Sequence, residues 1–137
     1  MAASATFDAL GKLVLRLSVG ILMLMHGIDK VGSGVDGIVG MVAKAGLPGQ
    51  FGYLVYVGEV LAPVLVIIGL WTRPAALLMF VTMIVAVWLV HMGALLLLTK
   101  SGGWALELQG LFLFGSLAIA LLGAGRYSAG GAGGRFN

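Results

Sequence analysis

The chain has 137 residues, of which 61% are hydrophobic and 9% charged, with a net charge of +3. Its mean hydropathy of +1.12 lies far above a soluble domain's, and its eight Lys and Arg residues form no cluster, so nucleic acid is excluded as a partner and the lipid bilayer is the expected one. Cysteine is absent, which removes disulfides, thiolate ligands and thiol exchange and leaves any electron transfer to a bound cofactor or a redox-active substrate.

Four apolar helical spans are expected, at residues 10–28, 52–71, 74–98 and 104–123, each near the roughly 20 residues that cross a bilayer. The first contains Lys12 and Arg16 and continues into His26-Gly-Ile-Asp-Lys30 without a small-x-small cleavage site, so it reads as a retained helix rather than a leader. Between the first and second spans, Val35, Ile38, Val39 and Val42 share one helical face before Gly46-Leu-Pro-Gly49, which predicts a short amphipathic helix on the membrane surface. Thr72-Arg73-Pro74 and Lys100-Ser-Gly-Gly103 are tight reversals. The fold expected is an all-α membrane protein, an antiparallel bundle of four transmembrane helices over residues 1–127 with that surface helix, followed by a disordered glycine-rich tail at 128–137.

An even number of spans puts both ends of the chain on one side. Lys12, Arg16, Arg73, Arg126 and Arg135 share it, against Lys30, Lys44 and Lys100, so the positive-inside rule predicts cytoplasmic termini in a multi-pass inner-membrane protein.

Ionisable groups inside apolar helices are costly and mark candidate sites. Glu59, His91 and Glu107 interrupt the second, third and fourth spans, and at 1.5 Å per residue they lie roughly 5–10 Å below the outer surface. His26 and Lys30 end the first span at that same surface, and Arg16 falls within an arc of about 80° with them. The candidate ligand-binding set is therefore Glu59, His91, Glu107, His26, Lys30 and Arg16. Glu107, Gly110 and Phe114 share a stripe expected to face inward, with Trp88 and Trp104 one turn from His91 and Glu107. Pro63 cannot donate to the Glu59 carbonyl, which leaves a free acceptor beside a carboxylate. The same groups can also pair merely to brace the helices, and Arg16 can snorkel to the interface.

Arg16-Leu-Ser-Val-Gly20 leading to His26-Gly-Ile-Asp-Lys30, then Gly46-Leu-Pro48, Gly58-Glu59, Gly69-Leu-Trp-Thr-Arg73, Glu107 and Gly125-Arg-Tyr-Ser128 occur in order along nearly the whole chain. Together they resemble the DoxX family of small bacterial inner-membrane proteins. The resemblance implies four membrane helices, with family polar positions at Arg16, Lys30, Glu59, Arg73 and Glu107. It also implies an association with respiratory or redox complexes, among them a thiosulfate:quinone oxidoreductase subunit, or with soluble redox or metal-handling proteins. Ala129-Gly130 departs from the family's usual apolar residue and aspartate, and His91 is outside its pattern.

The leading expectation is a subunit of a quinone-linked oxidoreductase system that binds a quinol-like head group at the polar cluster. There His91 donates, Glu59 or Glu107 accepts a proton, and Trp88 or Trp104 offers a stacking surface. Two alternatives come from other classes. His26 and His91, with the glutamates, suit a haem or transition metal, although no Glu-x-x-His pair is present. A non-enzymatic anchor or scaffold for a soluble or membrane redox or metal-handling partner, or a homo-oligomer, also fits so small a chain.

Overall fold

The computed structural model describes residues 2–137. Five α-helices carry the architecture: α1 (Ala2–Ser33), α2 (Asp36–Lys44), α3 (Ala62–Ile68), α4 (Thr72–Ala86) and α5 (Glu107–Leu122). No strand is found among the described residues; an isolated antiparallel bridge joins Leu98 and Trp104.

α1 is a 32-residue helix, about 48 Å long at 1.5 Å per residue, and begins well before the expected start at Leu10. It stops where Gly34 adopts φ +83° and its N–H closes on the Lys30 carbonyl at 2.9 Å. α2 is the amphipathic helix expected from the valine spacing. Val35, just before it, and Val42 are buried while Asp36 and Lys44 face outward. It packs on the 3-10 turn Gly49–Leu54, where Gly52 lets the backbone approach Val39.

That turn opens an apolar helix over Gly49–Ile68 that is regular only at its end. Residues Val57–Leu61 form a π turn, with the Ala62 N–H bonded to the Val57 carbonyl, before α3 begins. Pro63 explains the irregularity. It has no N–H for the Glu59 carbonyl, so the ordinary ladder cannot run through this point. α3 ends at Gly69 (φ +74°), and Trp71 follows in the left-handed region (φ +48°), so the chain reverses within three residues into α4.

α4 continues through a π turn (Val87–His91) and a 3-10 turn (Met92–Ala94), giving a second long apolar helix, Thr72–Ala94. The expected helical run to Leu98 stops short. His91 leaves the helical region (φ −118°, ψ 5°), and residues 95–106 bond across a reversal instead. Ala105 N–H donates to the Leu97 carbonyl at 3.0 Å, Thr99 N–H to Gly103 at 2.8 Å and Trp104 Nε1 to Leu95 at 2.8 Å. α5 accordingly begins at Glu107, three residues later than the sequence suggests.

Met23 of α1, Ala62 and Val66 of α3, Met79 and Met83 of α4, and Phe112 and Ile119 of α5 make the core. α1 packs against α3 and α5, and α4 against the same two. Arg16 meets Ile67 and Ala124 at one end, while Lys30 meets Glu59 and His91 meets Gln109 at the other, so the four long elements alternate in direction. The outer surface stays apolar, with Phe7, Leu111 and Leu121 among its exposed residues.

The glycine-rich tail is bonded to the α3–α4 reversal. Ala129 and Gly130 N–H groups donate to the Ile68 and Gly69 carbonyls at 3.0 and 2.9 Å, and Arg73 N–H to Phe136 at 3.0 Å. The buried Asn137 side chain accepts from Thr72 N and Oγ1, each at 3.1 Å, and donates to the Gly69 carbonyl at 3.1 Å. Backbone polar groups freed by the α3–α4 reversal supply the tail with partners that glycine-rich composition does not reveal.

Candidate functional site

The site forms where α1 touches the π turn. A Cβ on Gly27 would overlap the Glu59 carbonyl oxygen, and one on Gly58 would overlap the Thr82 hydroxyl, so glycines bring α1 and the Thr82 side chain of α4 against the π turn here. Lys30, one turn beyond Gly27, thereby reaches Glu59 and forms an ion pair with its Oε2. Glu59 is 4% exposed, and Lys30 is half-buried. Tyr56 hydroxyl donates to the Lys30 carbonyl at 3.2 Å and fixes the end of α1 over the pair. An ion pair of this kind is electrically neutral but keeps strong donors and acceptors in an apolar setting.

Two cavities meet at this pair. A small one of about 130 Å³ is lined by His26, Lys30, Glu59, His91 and Gln109, with Met23 and Phe112 as apolar walls. A larger one of about 570 Å³ touches Lys30, Glu59 and His91 and, apart from Thr82, is otherwise apolar, with Trp88 along one wall. The π turns at Glu59 and His91 both sit at this junction. Such insertions re-aim side chains without ending the helix and are frequent at functional sites.

His91 is half-buried, and its Nε2 lies 3.3 Å from the Gln109 amide nitrogen. With the amide donating, Nε2 is the acceptor and the ring proton belongs on Nδ1. His26 sits on the exposed rim, edge-on to Phe112 with ring centroids 5.5 Å apart. Four of the six residues expected from the sequence, Glu59, His91, His26 and Lys30, therefore line one connected space.

Arg16 and Glu107 do not join them. Arg16 is 1% exposed but lies at the opposite end, where NH1 donates to the Ala124 carbonyl at 2.6 Å and NH2 to Tyr127 at 3.0 Å and Ile67 at 3.3 Å. Its Nε has no hydrogen-bond partner among the described residues. Ile67 ends α3 and Ala124 follows α5, so the guanidinium sits where helix dipoles and unpaired carbonyls concentrate negative potential. Arg73 does the same beside it, donating to the Ala120 and Leu121 carbonyls at 2.9 and 2.8 Å.

Glu107 is exposed at the first turn of α5, with its carboxylate folded against Gly103. The inward stripe of α5 runs through Gln109, Phe112 and Ser116, on the side opposite Glu107, and Phe114 faces out. Gln109 is the site residue that sequence reasoning missed. Trp104 packs on Gly110 and holds the 95–106 reversal, so Trp88 is the indole that reaches a cavity. Among the described residues, no three His, Asp or Glu side chains converge as a metal-binding group.

An all-helical protein with a lipid-compatible exterior and a buried ion pair between two cavities is a membrane protein with a polar site inside its helix packing. The chain belongs to the DoxX family, whose model matches residues 11–92, a stretch that holds Arg16, Lys30, Glu59, Arg73 and His91. A Bacillus subtilis (strain 168) protein named "Putative oxidoreductase CatD" is 33% identical over 115 residues, covering 84% of this chain and 81% of its own length. No solved structure matches the chain.

Proposed function

We infer that this protein is the membrane subunit of a quinone-linked oxidoreductase and binds a quinol-like head group at Lys30, Glu59, His91 and Gln109. One observation carries the reading: a buried, neutral Lys–Glu pair and an adjacent imidazole close off a cavity of about 570 Å³ that is otherwise apolar. That size falls in the roughly 300–1,000 Å³ range of small-molecule sites. A quinone needs donors at its carbonyl oxygens and a quinol needs acceptors at its hydroxyls. Lys30 Nζ and His91 Nδ1 supply the first, the Glu59 carboxylate the second. The relative named as an oxidoreductase supports redox chemistry, and a chain without cysteine leaves the electrons to a bound cofactor or a redox-active substrate, here the quinone, and to a soluble or membrane redox partner.

In this reading α1, Gly49–Ile68, Thr72–Ala94 and α5 each cross the bacterial inner membrane, with the arginine end and both termini in the cytoplasm and the Glu59 cluster in the outer leaflet. The support is the sorting of charge: Arg16 and Arg73 bond carbonyls at the ends of α3 and α5, and Arg126 bonds Thr6 near the start of α1, whereas Lys30 lies at the other end.

Lipids extracted from the purified protein test the binding. Quinone enriched over the surrounding membrane in the wild type, and at background in Glu59→Gln, is the expected result. Background quinone in both removes the reading.

A further inference from the structure

The larger cavity has a shape that the head-group site does not require. From the Lys30–Glu59 pair it runs as an apolar trough between two walls. One is the outward face of the Thr72–Ala94 helix, with Leu78, Val81, Val85 and Trp88; the other is α2 and its 3-10 turn, with Met41 and Phe51. The floor is sealed where Gly58 and Thr82 bring the π turn and α4 into contact. Val81, Val85 and Trp88 are about half exposed, so the trough opens sideways on the surface that faces lipid. α2 finds its packing in the Gly49–Leu54 turn, and glycines with φ +83° stand at each end of it, Gly34 and Gly46.

We propose that this trough holds the isoprenoid tail of a membrane quinone, so that the ligand is a lipid-soluble quinone entering sideways from the bilayer rather than a water-soluble quinone or phenol. The inference rests on the head-group reading above and adds the class of substrate. Three features select this occupant. A cavity that holds the polar pair and also reaches half-exposed apolar residues on the outer surface suits a compact head carrying a single chain. The polar end holds a cation already matched by a carboxylate, so it offers no net positive charge to the phosphate of a phospholipid. Apart from the polar pair, His91 and Thr82, the lining is aliphatic and aromatic, and each methylene taken from water into such a lining strengthens binding roughly fourfold.

The test compares two probes on the purified full chain in one detergent: a tail-less dimethoxy-methyl-benzoquinone and its decyl-tailed analogue. The variants are Glu59→Gln at the head site and Val81→Phe with Val85→Phe in the trough, where both valines are exposed and the larger rings fill space without entering the core. Reading each affinity as a ratio to wild type cancels partition into micelles. The trough variant is expected to weaken the decyl probe at least tenfold and to leave the tail-less probe within twofold, while Glu59→Gln weakens both. Equal loss of both probes in the trough variant, or loss of neither, overturns the tail assignment and leaves the head site standing if Glu59→Gln still acts. A decyl probe sensitive to the trough variant but indifferent to Glu59→Gln keeps the trough and removes the head-group reading. Failure of both probes to bind the wild type overturns both.

Discussion

Gly27 on α1 lies so close to the π turn that a Cβ there would overlap the carbonyl oxygen of Glu59, and this contact sets Lys30 against the Glu59 carboxylate one helical turn away. The Glu59 carbonyl, which cannot accept from Pro63, is thus pressed onto a glycine rather than open to a ligand, and the site's polarity comes from side chains. A methyl group at Gly27 must push α1 outward. Gly27→Ala should therefore destabilise by about 1–3 kcal/mol, the usual cost of overpacking. Gly11, in the same helix, has nothing near its missing Cβ, so Gly11→Ala should be neutral or stabilising by up to about 1 kcal/mol. Unfolding monitored by circular dichroism in mild detergent distinguishes the two signs.

Arg16 serves the opposite end. Its guanidinium joins Ile67, Ala124 and Tyr127 carbonyls from three chain segments. Arg16→Met leaves those acceptors unpaired in a buried place and should cost about 3 kcal/mol or more. Arg16→Lys keeps the charge but not the planar fork and should recover only part of it. Quinone affinity of the folded fraction should stay at the wild-type value; a specific loss of affinity in Arg16→Lys would restore Arg16 to the ligand site.

Glu59 and Glu107 were equivalent on the page of sequence and are not equivalent in the fold. Glu107→Gln removes an exposed carboxylate at a helix N-terminus, worth about 0.3–1 kcal/mol, and should leave ligand affinity unchanged. Glu59→Gln removes a charged acceptor inside the site and should weaken binding by roughly tenfold to a hundredfold. Isothermal titration with a tail-less quinone separates them, and equal effects would contradict the placement of α5.

The tail offers an independent check. Asn137→Ala deletes the acceptor for Thr72 and the donor to Gly69 at a buried position, at a cost of about 1–3 kcal/mol. Hydrogen exchange at the Thr72 and Gly130 amides should accelerate, while that of the α1 core around Met23 should not.

The helices and most of the site were legible because burial and charge are written directly in residue type. Lys30, Glu59 and His91 stood out as ionisable groups at similar depths, and Pro63 marked the broken ladder beside Glu59. The roles of Arg16 and Asn137 were hidden because their partners are backbone carbonyls and N–H groups, which every residue has and no sequence pattern advertises. Gln109 was missed for a geometric reason. Gln109 lies roughly 200° around α5 from Glu107 at about 100° per residue, so the face that packs inward through Gln109, Phe112 and Ser116 turns Glu107 and Phe114 outward. The four leucines after Ala94 read as helix since their hydropathy matches it, but the reversal through Gly102 and the bond from Trp104 to Leu95 set their backbone instead.

The two histidines permit one decisive measurement, because both line the small cavity but only His91 also borders the larger one. Protein labelled with nitrogen-15 in histidine, with His26→Gln used to assign the signals, can be titrated with a tail-less quinone and followed by nitrogen chemical shift. The ring nitrogens of His91 should shift saturably with the ligand, with His26 moving far less, and Glu59→Gln should move the midpoint to higher concentration by roughly tenfold or more. A quinone that binds the protein while both His91 nitrogens stay unmoved would place the ligand elsewhere and leave the Lys30–Glu59 pair as a brace between helices.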